Sequence, residues 1–251
     1  QAHWLSADTL AWDVAYSAAN TYTLHYAAEG GMALTNGALV GGVEIPLTYN
    51  PAGLSTELKA KFPHLAMFSA FKIGAGDLAS VPDALKGQLA ISARNADKLV
   101  LDGTGLQIPG VLDDIYTYGG ELGVRYAGNV PTLRIWAPTA RSVALHLFDT
   151  STATTASQVI SMTADEAGTW IATGDATWSG QYYLYEVEVY VPATGQIEHN
   201  LVTDPYSIAL ATNSQRSLII NLEDPKLKPK GWDSQSKPPL AAPEDITLYE
   251  L

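Results

Sequence analysis

The 251-residue sequence contains no cysteine, so disulfides, thiolate metal sites and cysteine nucleophiles are all excluded. Positive charge is scarce. Fourteen Lys and Arg stand against 26 Asp and Glu, for a net charge of −12. That balance argues against nucleic acid and anionic membrane surfaces as partners, and leaves neutral partners such as sugars open. Lys226, Lys228, Lys230 and Lys237 cluster in one proline-rich stretch, too short and broken for a polyanion site, which reads as a solvated linker. No apolar run reaches the roughly 18 residues that a membrane span needs. The start, Gln1-Ala2-His3-Trp4, has neither a charged n-region nor an apolar h-region, so any signal peptide is expected to have been removed already. The absence of cysteine fits an exported bacterial protein without fixing the compartment.

Motifs that carry catalysis are also missing. Glycosidic chemistry needs two carboxylates held at a fixed separation. The adjacent pairs Asp113-Asp114, Asp165-Glu166 and Glu244-Asp245 do not meet that need, because neighbours on a strand or loop point apart. The five histidines show no metal-ligand spacing, and those inside strand patterns, His25 and His146, read as packed or surface residues. No G-x-S-x-G occurs, and the glycine-rich stretches at Gly30, Gly41 and Gly119 do not open helices, so phosphate cradling is not expected.

What is present is apolar residue content of 47% against only 16% charged, enough for a sizeable core. Gly105–Leu122 divides the chain. Pro109-Gly110 marks a turn, Asp113-Asp114 a capping or solvated step, and Gly119-Gly120 a joint. A connector this apolar is expected to pack between the units on either side.

In the first unit, Tyr22–Tyr26 alternates as a strand, Glu29-Gly30-Gly31 and Asn36-Gly37 mark turns, and Gly41-Gly42 splits a further strand pair. Leu54, Leu58 and Phe62 then fall at helical spacing, with Ser55 placed as N-cap and Pro63 as stop. Phe68–Ile73, Gln88–Arg94 and Leu99–Leu101 read as strands around a loop with a helical turn.

The second unit reads as all β. Thr132–Trp136, Ser142–Phe148, Gln158–Met162, Gly168–Ile171, Tyr182–Val191 and Ser217–Leu222 are strand-like with polar turns between them, the signature of a sandwich. Asp224–Pro243 holds five of the fourteen prolines and reads as an extended tether, after which Ile246–Leu251 begins a strand with no partner in the sequence, a sign of truncation.

Six Trp and thirteen Tyr in a mainly β chain supply flat faces on which the C–H face of a pyranose could stack. Trp136 and Trp170 lie inside strands and are expected in the core. Trp178, Tyr182 and Tyr183, beside Ser179-Gly180, are the candidates for exposed substrate-binding rings.

Several motifs point to a family. I-W-A-P-T-A at 135–140, the strand Tyr182–Val187 and V-T-D-P-Y-S at 202–207 resemble the family 48 carbohydrate-binding module that precedes the barrel of starch-debranching enzymes. T-G-L-Q-I-P-G-V-L-D-D at 104–114, L-K-P-K-G-W-D at 227–233, P-E-D-I-T-L-Y-E-L at 243–251 and the opening H-W-L-S-A-D-T-L-A-W at 3–12 are similar to type I pullulanases and limit dextrinases of glycoside hydrolase family 13.

The resemblance implies two immunoglobulin-like β-sandwich domains in tandem, the first with a helical insertion. It divides the chain into 1–122, 123–224, and a linker with the first strand of a missing (β/α)8 barrel at 225–251. It implies a parent enzyme hydrolysing α-1,6 branch links in pullulan, amylopectin or limit dextrin. That enzyme's Asp nucleophile, Glu acid and stabilising Asp lie in the barrel, so no catalytic residue, metal or cofactor is expected here. The resemblance leaves room for a calcium ion in the parent.

The implied partners are α-glucan and the barrel of the same enzyme. The implied setting is extracellular or cell-surface in a bacterium, or the plastid if plant-like. The alternative is a free-standing α-glucan-binding module. Trp136, Pro138, Asp204, Pro205 and Tyr206 carry the structural motif, with Asp204 expected to bond nearby backbone amides. Where glycogen-binding relatives of the module place Trp, this chain has Phe148-Asp-Thr-Ser and Glu198-His-Asn200. That departure implies packing against the barrel in preference to a tight glycan site.

Overall fold

A computed structural model describes residues 1–250. The first unit contains β1 (Ala2–Ser6), β2 (Thr9–Trp12), β3 (Thr21–Ala27), β4 (Ala33–Thr35), β5 (Ala38–Val40), β6 (Val43–Asn50), β7 (Ser69–Ile73), β8 (Gln88–Arg94), β9 (Val100–Thr104) and β10 (Leu106–Gln107). Its helices are α1 (Thr56–Lys61), α2 (Val81–Ala84) and α3 (Pro109–Ile115). The second unit contains β11 (Gly123–Ala127), β12 (Val130–Trp136), β13 (Ser142–Phe148), β14 (Gln158–Ser161), β15 (Thr163–Ala164), β16 (Thr169–Thr173), β17 (Tyr182–Val191), β18 (Gln196–Val202) and β19 (Ser217–Leu218).

Eight strands of the first unit form one hydrogen-bonded sheet in the order β10-β1-β2-β7-β6-β3-β8-β9. The pairs are antiparallel except for β1 with β10, which run parallel. One face gathers Trp4, Trp12, Leu24, Ile45, Phe71 and Ile91 into a core closed by Val81 and Ala84 of α2 and Val111 of α3. On the reverse face Leu5, Ala11 and Ala70 pack with Leu54 and Leu65, under Leu58 and Phe62 of the helical insertion. All four residues of β2 are therefore buried, and no apolar/polar alternation can show there.

Local chemistry explains the boundaries. The Ser55 hydroxyl accepts from Leu58 N–H at 3.2 Å and caps α1, and Phe62 ends it before Pro63. In the β4–β5 hairpin, Asn36 and Gly37 sit at φ 51° and 77°, the left-handed pair of a tight two-residue turn. Pro46 in β6 pairs with Thr23 of β3 and falls before the ladder to β7 begins at Leu47, so its missing N–H costs little.

The second unit is a sandwich. The sheet β11-β12-β16-β15 faces the sheet β14-β13-β17-β18, with β19 joined to β17. Leu133, Ile135 and Ala172 of one sheet meet Val143, Leu145, Leu147, Tyr183 and Tyr185 of the other in a single core.

The connector is more ordered than a turn and a joint. Residues 109–115 form α3, whose start places Pro109 at the first helical turn, where its absent N–H is unneeded. Gly110 lies so close to β1 that a Cβ there would stand 2.9 Å from the Trp4 carbonyl oxygen. Beyond α3 the chain packs on the second unit: the Tyr116 carbonyl accepts from Trp136 Nε1 at 3.0 Å, and the Arg134 guanidinium lies 4.9 Å from the Tyr118 ring. A second bond between the units runs from Arg141, which donates to the Ala28 carbonyl at 2.7 Å and pairs with Glu29.

At the other end, Ile246–Glu250, expected to open a strand, pairs with no strand among the described residues. Leu251 of that expected strand lies outside the described residues. Among the described residues no helix is long and apolar enough to cross a membrane.

Candidate glucan-contact and docking surfaces

The aromatic candidates fall in unequal places. Trp178 is only 6% exposed and belongs to the core of the second unit. Its indole lies against Gly174, where even a Cβ would come within 2.1 Å of the ring. Tyr183 is fully buried. Neither can offer a face to a sugar, which corrects the expectation of exposed rings at 178 and 183. The cause is register: β17 turns Tyr183, Tyr185 and Val187 inward, and the short helical turn Ala176–Trp178 folds the indole beneath it. Tyr182, on the outward register, is half-buried. Trp170 is in the core as expected, with Nε1 donating to the Ala137 carbonyl at 3.0 Å. Trp136 is not. It points out of the sandwich, half-buried beneath the connector that its indole N–H holds.

Asp204 organises the motif around it. Its carboxylate is buried and accepts from three donors: Tyr183 hydroxyl at 2.8 Å, Tyr185 hydroxyl at 3.3 Å and Tyr206 N–H at 2.7 Å. Its own N–H donates to the Ser217 hydroxyl at 3.0 Å. Burial raises the Asp204 pKa from the ordinary carboxylate value, the three donors opposing it. Burial, followed by the neighbouring Asp204 charge, pushes both tyrosine phenols far above their usual range. This network ties β17 to the loop after β18 and to β19, a structural task that needs no ligand. Pro138 is buried, while Pro205 and Tyr206 stand at the surface.

The positions where relatives of the module place Trp are built differently here. Phe148 is buried with the Arg216 guanidinium 3.9 Å from its ring, and that arginine is fixed by bonds to the Thr150 and Ala153 carbonyls. A cation thus occupies the face a sugar would need. On β18, His199 Nδ1 bonds Glu186 at 3.0 Å, and His146 Nε2 lies 2.8 Å from the other oxygen of that carboxylate, off the line of a hydrogen bond. Among the described residues no group of three or more His, Asp or Glu is arranged to hold a metal ion.

Exposed apolar side chains concentrate beside this network. Leu201 and Val202 at the end of β18, then Tyr206, Ile208 and Leu210, face solvent, and Tyr206 and Ile208 share a hollow with Leu122 and Val124. Leu222, Leu227, Trp232, Leu240, Ile246, Leu248 and Tyr249 continue the exposed series along the C-terminal stretch. Sequence reasoning missed this surface, since Val202–Ser207 was legible only as a motif. It missed Arg216 as well, 68 residues from the ring it covers.

Comparison with known proteins places both units. Residues 1–114 match the family described as Pullulanase N2 domain, and residues 121–207 match Carbohydrate-binding module 48 (Isoamylase N-terminal domain). The chain is 32% identical over 254 residues to Pullulanase 1, chloroplastic, of Arabidopsis thaliana, covering all of this chain and 26% of that protein. It is 33% identical over 242 residues to the pullulanase of Klebsiella pneumoniae, covering 95% of this chain and 22% of that one. The crystal structure of apo pullulanase from Klebsiella pneumoniae superimposes with a TM-score of 0.85 at 32% identity, over 94% of this chain and 25% of that one. The same organism's pullulanase in complex with maltotriose gives 0.86 over the same shares. The chain thus spans about a quarter of the length of the relatives it matches. It belongs to the pullulanase family, as an N2 domain followed by a family 48 carbohydrate-binding module from the non-catalytic N-terminal region.

Proposed function

We propose that this chain is a bracing region of a debranching enzyme that hydrolyses α-1,6-glucosidic links in pullulan, starch or glycogen. Units 1–122 and 123–224 form the brace, and 225–251 leads into the catalytic barrel. The observation that carries this reading is the exposed apolar run Val202, Tyr206, Ile208 and Leu210, held in place by the buried Asp204 network. Large apolar side chains exposed together along one short segment mark an interface, and the catalytic domain of the same polypeptide is the occupant that the family supplies. The covered Phe148 and buried Trp178 speak against the alternative, a free-standing glucan module working through its family 48 unit. An exported bacterial setting is the one favoured by the cysteine-free composition, with a plastid setting as the alternative.

The test is the full-length protein carrying Ile208→Asp and Leu210→Asp. Reducing ends released from pullulan should survive heating to a lower temperature than in the unaltered enzyme. An unchanged inactivation temperature would refute the brace.

A further inference from the structure

At one end of the β3–β6 ladder the first unit carries a groove of about 570 Å³ whose wall is a stack of tyrosines. Tyr16 lies on Tyr49 with ring centroids 3.7 Å apart and planes 8° from parallel, and it leans on Tyr22 at 5.6 Å and 27°. Tyr22 is buried against Phe71, so the stack is anchored in the core. The loop that presents Tyr16 is itself pinned, because Ser17 N–H donates to the Tyr22 hydroxyl at 2.8 Å. Tyr16 nevertheless remains 42% exposed. One face of its ring is spent on Tyr49, and the stack holds the ring in one orientation.

The rest of the groove is mixed: Pro46, Leu47 and Ala96 extend the apolar wall, polar groups lie among them, and Lys98 adds one positive charge. Asn20 and Asn95 supply amides and Thr48 a hydroxyl, while the buried Thr23 hydroxyl is taken by Arg94 at 2.8 Å. Arg94 and Glu44 neutralise one another through bonds of 2.5 and 2.9 Å, and the buried Arg94 Nε has no partner. A rigid aromatic face costs little entropy on binding, and an apolar wall with amide, hydroxyl and ammonium groups beside it matches the two sides of a pyranose, its C–H face and its hydroxyl edge.

We propose that this groove binds an α-glucan chain. Tyr16 supplies the stacking face, and Asn20 and Asn95 bond the sugar hydroxyls. The choice of glucan rests on the debranching reading above; the aromatic and polar geometry does not.

The test is a titration of the 251-residue chain, whose two cores close within it, with maltoheptaose, followed by amide chemical shifts. Saturable shifts should centre on residues around Tyr16, Asn20 and Asn95. Tyr16→Ala should weaken binding at least about tenfold, equivalent to about 1.4 kcal/mol, with Tyr16→Phe close to the unaltered chain because the ring is kept. Tyr182→Ala on the second unit should leave binding unchanged. Tyr16→Ala removes a stacked ring and should lower the urea midpoint slightly without unfolding the chain, whereas Tyr16→Phe should keep it. Undiminished affinity in Tyr16→Ala, or a flat titration of the unaltered chain, would overturn the proposal. A full-length protein that releases no reducing ends from pullulan would instead overturn the debranching reading, whatever Tyr16→Ala does.

Discussion

Asp204 shows how much one side chain can carry when its donors are buried with it. Replacing it by Ala strands the Tyr183 and Tyr185 hydroxyls and the Tyr206 N–H. Each unpaired buried donor costs about 1–3 kcal/mol, and relaxation at the half-exposed Tyr206 end returns part of that. Asp204→Ala should therefore lower stability by about 3 kcal/mol in urea unfolding; a loss below about 1 kcal/mol would show that the network is dispensable.

His25 gives a pH signature. Burial, reinforced by Arg94 and opposed by Glu44, holds its imidazole pKa below the ordinary value, with Nε2 bonded to Ser92 at 2.7 Å. A base lowered in the folded state is protonated first in the unfolded chain. Its contribution is therefore present above the ordinary histidine value of about 6.5 and is lost as pH falls below it. His3 shifts the same way, through burial and then His64. The urea midpoint should fall as the pH is lowered from about 7 to 5.5, and His25→Gln should flatten part of that slope; the raised Asp204 pKa acts in the opposite sense and is common to both proteins. An identical slope in the variant would clear His25 of the effect.

Among the elements, α3 packs closely on β1 and carried a misleading sequence signal. Gly110→Ala should clash with the Trp4 carbonyl and the Leu5 backbone, costing about 1–3 kcal/mol, since α3 and β1 must separate. An unaltered melting temperature would mean that the helix shifts freely. Pro-Gly suggests a turn, yet proline at the first helical position followed by Val111, Leu112 and Ile115 on one side is also a helix start. That signal was available in the residues.

Other elements were legible for plain reasons. Single-face burial writes alternation into β12 and β13, β3 alternates in residue type although Thr23 and His25 are buried as well, Asn36-Gly37 demands its hairpin, and Ser55 with Pro63 brackets α1. β2 was hidden because it is buried on both faces. β18 was hidden because, as an edge strand with a polar side, it carries Glu198, His199 and Asn200 where apolar residues would have announced it. The site was less legible than the fold. Ring type marks an aromatic as useful, but only register decides whether Trp178 and Tyr183 face a ligand or a core. Tyr16 and Tyr49 meet across 33 residues with nothing in the sequence to pair them.

At the scale of the molecule, two separately closed cores are coupled by the connector that covers Trp136, by Arg141 reaching the Ala28 carbonyl and Glu29, and by Tyr190 set against Gly30. Glu29 is well exposed and its ion pair is worth little, so Arg141→Ala should cost only about 1–2 kcal/mol, chiefly through the carbonyl bond. Its effect should show as a wider separation of the two unfolding transitions in calorimetry. Coincident transitions in both proteins would show that Arg141 does not carry the coupling.

The brace itself rests on Tyr206, Ile208 and Leu210 being covered in the intact enzyme. Hydroxyl-radical footprinting of the full-length protein, set against the 251-residue chain, measures that directly. Oxidation of these three side chains should be several-fold slower in the full-length protein, while that of Leu34 on the β4–β5 hairpin stays the same. Equal rates at all four positions would leave the apolar face open to water and contradict the account.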